Sequence, residues 1–146
     1  MLFRSGLPPL LLSKRAAFYQ EGEEVTHQRT AELFHRSLHQ EADGHWTVRC
    51  GDEVLDVVLE DAPRYVRSYD RATGILTLSD GSQEELRPDT LRVRQDNSLS
   101  CFLKNDWPAT FLPSAYYEIA KDVRESGPGQ YVLHFLGRDY ELSVTH

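Results

Sequence analysis

One order of elements is written twice along this chain. A short apolar segment, a gap, an amphipathic stretch with helical spacing, a Gly-marked turn and a two-strand hairpin run from about Arg15 to Glu60. The same order returns from about Leu99 to Val144. Between the copies, Tyr65 to Tyr69, Ile75 to Leu78 and Leu91 to Arg94 are short strand-like segments. They are separated by Arg71-Ala72-Thr73-Gly74, Asp80-Gly81-Ser82 and Asp96-Asn97-Ser98. Such spacing with such turn residues marks antiparallel strands. The expected fold is therefore α+β: two similar strand–helix–hairpin units joined by a β meander, mostly antiparallel sheets, and two main helices. A length of 146 residues suits one compact domain or two subdomains. These would be an N-terminal α+β unit over 1–63 and a C-terminal, β-rich α+β unit over 64–146. A duplicated unit fixes architecture and says little about chemistry.

The individual elements follow from periodicity and punctuation. Pro8-Pro9 forbids helix in the leading segment 1–14 and leaves it extended, with Leu10 to Leu12 packing on the domain surface. Ala16 to Gln20 is a short strand with Phe18 inward. The first helix is expected over His27 to Glu41, with Thr26 as its cap. His27, Ala31, Phe34 and Leu38 fall on one helical face. Trp46, Val48 and Cys50 share one side of the next strand, Gly51-Asp52 is a two-residue hairpin turn, and Val54 to Leu59 reads as a strand buried on both faces. In the second copy, Leu99 to Leu103 is a strand, Lys104 to Pro108 a loop, and Ala115 to Glu125 a helix capped by Ser114. Its buried stripe is Tyr116, Ile119, Ala120 and Val123, and Ser126-Gly127-Pro128-Gly129 stops it. Tyr131 to Leu136, Gly137-Arg138 and Tyr140 to Val144 form a hairpin.

Composition removes several function classes. Hydrophobic residues at 40% and charged residues at 27% describe a globular, soluble chain. A net charge of −7 disfavours a nucleic-acid partner, which calls for a basic stripe. The one long apolar run is broken by Pro8-Pro9, and nothing approaches the roughly 20 apolar residues of a membrane span. A cytoplasmic location is expected. Cys50 and Cys101 read as two unpaired core thiols. His35 and His39 stand four apart, but Arg36 occupies the place where a zinc-protease helix carries Glu, so both read as surface histidines and no metal is expected. No Gly-x-Ser-x-Gly surrounds any serine, and no Gly-rich loop joins a strand to a helix. No cofactor is expected.

What remains is a set of charged and aromatic candidates. Asp52, Glu53, Asp56, Glu60 and Asp61 form an acidic cluster, with Asp56 and Glu60 on one strand face and Arg64 and Arg67 placed to neutralise them. Asp61, just before Ala62-Pro63, suits a turn-fixing role or a contact at a loop mouth. Arginines outnumber the lysines, which are Lys14, Lys104 and Lys121, and the planar fork of arginine suits carboxylates and phosphates. Arg92 and Arg94 share a strand face. Trp107-Pro108, in a polar loop, is the best single partner anchor. The functional reading is a non-enzymatic cytoplasmic binding or regulatory module. Asp61, Arg64, Arg67 and Trp107 are its contacts to a protein partner or small ligand. The alternative is a small-molecule sensor or small enzyme using the carboxylates of Asp56 to Asp61 with Arg64. A third reading is self-association through the edge of the Tyr131 to Val144 hairpin.

Gly22 with Val25, then Leu33-Phe34, Leu38, Asp43-Gly44-His45-Trp46 and Asp56-Val57-Val58-Leu59-Glu60-Asp61-Ala62-Pro63 resembles a bacterial family, the domain of unknown function 1285. Its members carry a Gly-aromatic turn followed by a strand ending in an acidic-Asp-Ala-Pro motif, matched here by Glu60 to Pro63. The resemblance covers most of the chain and continues more weakly through Leu99 to Tyr117. It implies two similar α+β units and a signalling or ligand-sensing role, and it supplies no catalytic residue. Two departures stand out. Arg64 replaces the family's Phe after the Asp-Ala-Pro, and Gly51-Asp52-Glu53 replaces a longer Pro-bearing hairpin.

Overall fold

The computed structural model describes residues 3–4 and 6–144; Met1, Leu2 and Ser5 of the leading segment lie outside the described residues. The chain divides into two compact units, Met1–Pro63 and Arg64–His146. The architecture is α+β, with two α-helices and mixed, mostly antiparallel sheets among the described residues. No helix among the described residues is long and apolar enough to cross a membrane.

In the first unit the strands are β1 (Phe3–Arg4), β2 (Leu10–Leu12), β3 (Phe18–Gln20), β4 (Glu23–Glu24), β5 (Leu38–Gln40), β6 (Trp46–Cys50) and β7 (Glu53–Leu59), with helix α1 (Gln28–Ser37) before β5. They form one sheet in the order β4-β3-β2-β7-β6-β5, with β1 also pairing β7. Leu10 to Leu12 therefore does not lie on the surface. It is an interior strand of the sheet, parallel to β7, with Leu10 and Leu12 fully buried. Pro8-Pro9 precedes the strand and so costs it no ladder bond. Strand β7 alternates rather than being buried on both faces: Leu55 and Val57 are buried and Val58 is 56% exposed.

Helix α1 stops four residues short of its sequence expectation. Leu38 turns extended (φ −61, ψ 130) and pairs with Val48 across β5–β6. Its cap is His27, whose ring accepts from the Thr30 N–H, not Thr26. The buried side chains of α1 are Phe34 and His35. Phe34 meets the Phe18 ring edge-on at 5.5 Å, and His35 lies 4.7 Å from the same ring. His35 is thus a core residue and not a solvated one. Its Nε2 is 3.0 Å from the Ala16 carbonyl.

The second unit contains β8 (Arg64–Tyr69), β9 (Ile75–Leu78), β10 (Gln83–Glu85), a 3₁₀ turn (Pro88–Thr90), β11 (Arg92–Val93), β12 (Leu99–Phe102), β13 (Pro108–Phe111), α2 (Pro113–Ala120), β14 (Val123–Gly127), β15 (Gln130–Phe135), β16 (Arg138–Glu141) and β17 (Ser143–Val144). The main sheet runs β10-β9-β8-β13-β12-β11-β17, and β14-β15-β16 is a separate three-stranded sheet. Strand β13 begins in the expected Lys104 to Pro108 loop and pairs parallel with β8 and antiparallel with β12. Helix α2 starts at Pro113, after Leu112 rather than Ser114, because proline suits the first helical turn. It ends at Ala120, since Val123 to Glu125 pairs with Tyr131 to Leu133 instead of continuing the helix. Its buried residues are Ala115 and Ile119. They join Val66, Leu76, Leu78, Leu91, Leu133 and Phe135 in one core. Cys101 is buried there, whereas Cys50 is exposed at the end of β6, so only one of the two thiols is a core residue.

Candidate functional site

The expected contacts Arg64, Arg67 and Trp107 meet at one corner of the second unit. Strand β8 opens on Arg64, and β13 runs beside it with Ala109 opposite Arg64. Trp107, two residues earlier, therefore stands at the same end of the sheet. Its loop is a fixed turn. Asn105 Oδ1 accepts the Trp107 N–H at 3.0 Å, Asp106 takes φ 66, and the Leu103 N–H donates to the Trp107 carbonyl at 3.0 Å. Trp107 is half-buried rather than free in a polar loop. The Arg64 guanidinium carbon lies 4.8 Å from the Trp107 ring centroid.

A β-bulge explains how Arg64 and Arg67 come to share this corner. Positions three apart on a regular strand face opposite sides. Here the register slips between Val66 and Ser68, and Arg67 is the extra residue, which re-aims its side chain. Its Nη2 reaches the Ser79 carbonyl at 3.4 Å. Arg64 Nη2 lies 3.7 Å from Asp80 Oδ2, on the same turn. The turn is braced: Ser79 Oγ accepts the Tyr65 N–H at 3.0 Å, and Asp80 Oδ1 accepts from both the N–H and the hydroxyl of Ser82. Burial lowers the Arg64 pKa, and Asp80 opposes that shift. Burial also works against ionised Asp80, but the Ser82 hydrogen bonds and Arg64 outweigh it and hold the carboxyl below its usual range. The corner thus presents one buried guanidinium stacked on an indole and, in Arg67, one exposed guanidinium that reaches the residue before Asp80. Asp61 belongs to the first unit, where it is half-buried.

The other candidates have different partners. Asp56 sits opposite Thr47 on β7, and its Oδ1 is 3.4 Å from His45 Nε2, so its close neighbour is an imidazole. His45 Nδ1 meets Asp43 Oδ1, and that hydrogen bond holds the Asp43 carboxyl below its usual range. His35 and His39 do not share a helix face, because the helix ends at Ser37 and His39 lies in β5. No group of three or more His, Cys, Asp or Glu among the described residues is arranged to hold a metal ion. Arg92 Nε donates to Ser100 Oγ at 3.2 Å with its guanidinium over Phe102, and Arg94 Nη1 donates to Thr110 Oγ1 at 3.0 Å. Both serve cross-strand packing.

A second feature carried no signal in the sequence. The first unit has an open cleft of about 480 Å³ lined by Pro9, Leu11, Lys14, Arg15, Tyr19 and Glu60, among others. It joins residues far apart in the chain that become neighbours only when β2 pairs with β3 and β7. Of these, only Glu60 stands out in the sequence, as part of the acidic cluster.

No family model matches the sequence, and no curated protein matches it. Two solved structures are similar. One is a DUF1285 family protein from Silicibacter pomeroyi, with a TM-score of 0.71 and 13% identity over 98% of this chain and 84% of that one. The other is a DUF1285 family protein from Shewanella baltica, with a TM-score of 0.61 and 20% identity over 80% of this chain and 94% of that one. The chain therefore has the fold of these proteins, as the Glu60 to Pro63 resemblance implies.

Proposed function

We propose that this chain, built on the fold of the DUF1285 proteins, is a non-enzymatic binding or regulatory module that holds an acidic partner segment at the Arg64–Arg67–Trp107 corner. One observation carries the reading. Two guanidinium groups reach a single braced turn, and one of them is stacked on an indole. Arg67 offers the exposed fork that matches a carboxylate, and the half-buried Trp107 offers apolar surface next to it. Arg64, fixed by Asp80 and stacked on the ring, positions the indole. Asp61 belongs to the first unit and is left out of this corner. The recurrence of a helix followed by a three-stranded antiparallel meander, α1 with β5–β7 and α2 with β14–β16, supports reading the units as copies of one ancestral element. Self-association through the β15–β16 hairpin is the weaker reading, because Arg138, Asp139 and Glu141 place charge on the edge strand β16.

Binding of fluorescent Asp/Glu-rich peptides tests the main reading. Arg67→Ala and Trp107→Ala should each weaken capture at least tenfold, with Trp107→Phe retaining most of it and guarding against a folding defect. Equal affinity in all three variants would refute the corner as the contact.

A second reading is favoured by the cleft of the first unit: a small-molecule sensor in which Glu60, at the end of the carboxylate-rich strand, lines the binding space. A cleft of about 480 Å³ falls in the size range of small-molecule sites.

A further inference from the structure

We infer that the first-unit cleft is a receptor site for a free α-amino acid with an aliphatic side chain; this rests on the second reading above, that the unit senses a small molecule. The argument begins with where the sheet puts its charges. Strands β2 and β7 are parallel with Leu12 opposite Leu59, so both end at the same edge, and the Glu60 N–H donates to the Leu12 carbonyl at 2.9 Å. Lys14 and Arg15 follow β2 after Ser13, so two cations and one carboxylate are gathered at one end of the cleft. No ion pair joins Lys14 or Arg15 to Glu60 among the described residues, and all three are exposed.

That arrangement matches a ligand carrying unlike charges on one carbon. The α-carboxylate meets Lys14 and Arg15, and the α-ammonium meets Glu60. A ligand with only an anion leaves Glu60 facing like charge, and one with only a cation faces Lys14 and Arg15. From the charged end, the cleft continues along Leu11 and Tyr19, which are direct cross-strand neighbours. With Pro9, they give apolar floor for an aliphatic side chain. Glu21, beyond the far end of β3, closes the lining.

The cationic end is held in shape before any ligand arrives. Ser13 Oγ accepts the N–H groups of Arg15 at 3.3 Å and Ala17 at 3.2 Å. Ala16 takes φ 67, in the left-handed region that disfavours alanine, and its carbonyl is met by buried His35 at 3.0 Å. A strained turn fixed by a buried side chain costs little further ordering on binding.

A thermal-shift screen of the full chain with leucine, lysine, N-acetyl-leucine, leucinamide, nucleotides and sugars, each at 10 mM, provides the test. Leucine should raise the melting temperature, and both blocked leucines should fail to. Calorimetric titration should show at least a tenfold loss of leucine affinity in Arg15→Gln and in Glu60→Gln, both exposed sites whose unliganded melting temperatures should match the parent. A shift from nucleotides or sugars alone, abolished in the same variants, would overturn the amino-acid assignment while leaving a sensing cleft. Equal binding of leucine and its blocked forms would also overturn the assignment. No shift with any compound would overturn both the assignment and the sensing reading.

Discussion

The two units solve the same problem with opposite economies. In the first, a helix lies on a sheet whose other face is left open: Leu10, Leu12 and Phe18 are buried, while Val58 is exposed and Leu11 and Tyr19 line a cleft. In the second, both faces of the central strands are committed. Tyr65 and Val66, adjacent on β8 and pointing opposite ways, are both fully buried. The same contrast holds in the meanders that follow the helices. Strand β7 of the first meander joins the sheet through β2, whereas β14–β16 of the second stands as its own sheet. A helix followed by three antiparallel strands therefore does not dictate how the sheet is completed. The face that the first unit leaves uncovered is the one that carries Leu11 and Tyr19 of the cleft.

Paired residues in the two units allow the contrast to be broken or sharpened. The largest expected difference is between the thiols. Cys50 is exposed and Cys101 is buried, with its pKa pushed up to about 12 by burial first and by Glu84 second. Thiolate is the reactive form, so burial suppresses Cys101 through ionisation as well as through access. Labelling of the native protein with a disulfide reagent should show one prompt thiol, with the second appearing only in denaturant. Two prompt thiols would mean that the second unit is far looser than its packing indicates.

Next in size is a glycine pair. Gly22 and Gly74 take nearly the same left-handed φ, +80 and +76. A Cβ at Gly22 meets nothing within 4 Å, while one at Gly74 comes 2.5 Å from the Phe135 ring. Gly22→Ala should cost only the backbone term, about 1–2 kcal/mol. Gly74→Ala should add an overpacking cost of about 1–3 kcal/mol. Denaturant titration of the two variants reads the difference directly, and equal losses would contradict the close packing under β9.

The smallest effect concerns ion pairs. In the first unit Asp43 is met by an imidazole; in the second, Asp122 accepts two bonds from Arg71 at 3.0 and 2.8 Å. The Arg71 hydrogen bonds hold the Asp122 carboxyl below its usual range. A depressed folded-state value means stability that is present above the unfolded carboxyl range, near pH 4, and lost as pH falls through the folded value. Asp122→Asn should therefore be less stable than the parent at pH 7, and the gap should close in acid below about pH 4. A gap independent of pH would show that the pair contributes through packing rather than charge.

Much of the local structure was legible in the residues. Ile75–Leu78 is bounded by Thr73-Gly74 and Asp80-Gly81, and Gly51-Asp52 joins β6 to β7, because turn chemistry is local. The ends of both helices were not legible. Leu38-His39-Gln40 and Val123 to Glu125 continue a helical pattern, yet each pairs with a strand that follows it, and the ladder outweighs helix propensity. His35 lies beside the apolar stripe of Ala31 and Phe34 in the sequence, and what buries it is Phe18 and the Ala16 carbonyl, contributed from outside the helix.

The candidate sites divide along the same line. Arg64, Arg67 and Trp107 could be picked out as residue types, since guanidinium and indole chemistry is intrinsic to the side chain. Their meeting at one turn depends on a bulge at Arg67 and on β13 lying parallel to β8, both non-local pairings. The cleft was invisible, because Leu11, Tyr19 and Glu60 become neighbours only through strand register. The order of amino acids determined the fold class, the turns and the acidic charge balance, all of which follow from composition and short-range periodicity. Tertiary structure alone decided where helices gave way to strands, which histidine and which thiol went inside, and which charges were gathered at one edge. Those outcomes depend on hydrogen-bond ladders and burial between segments whose separation along the chain carries no information about their distance in space.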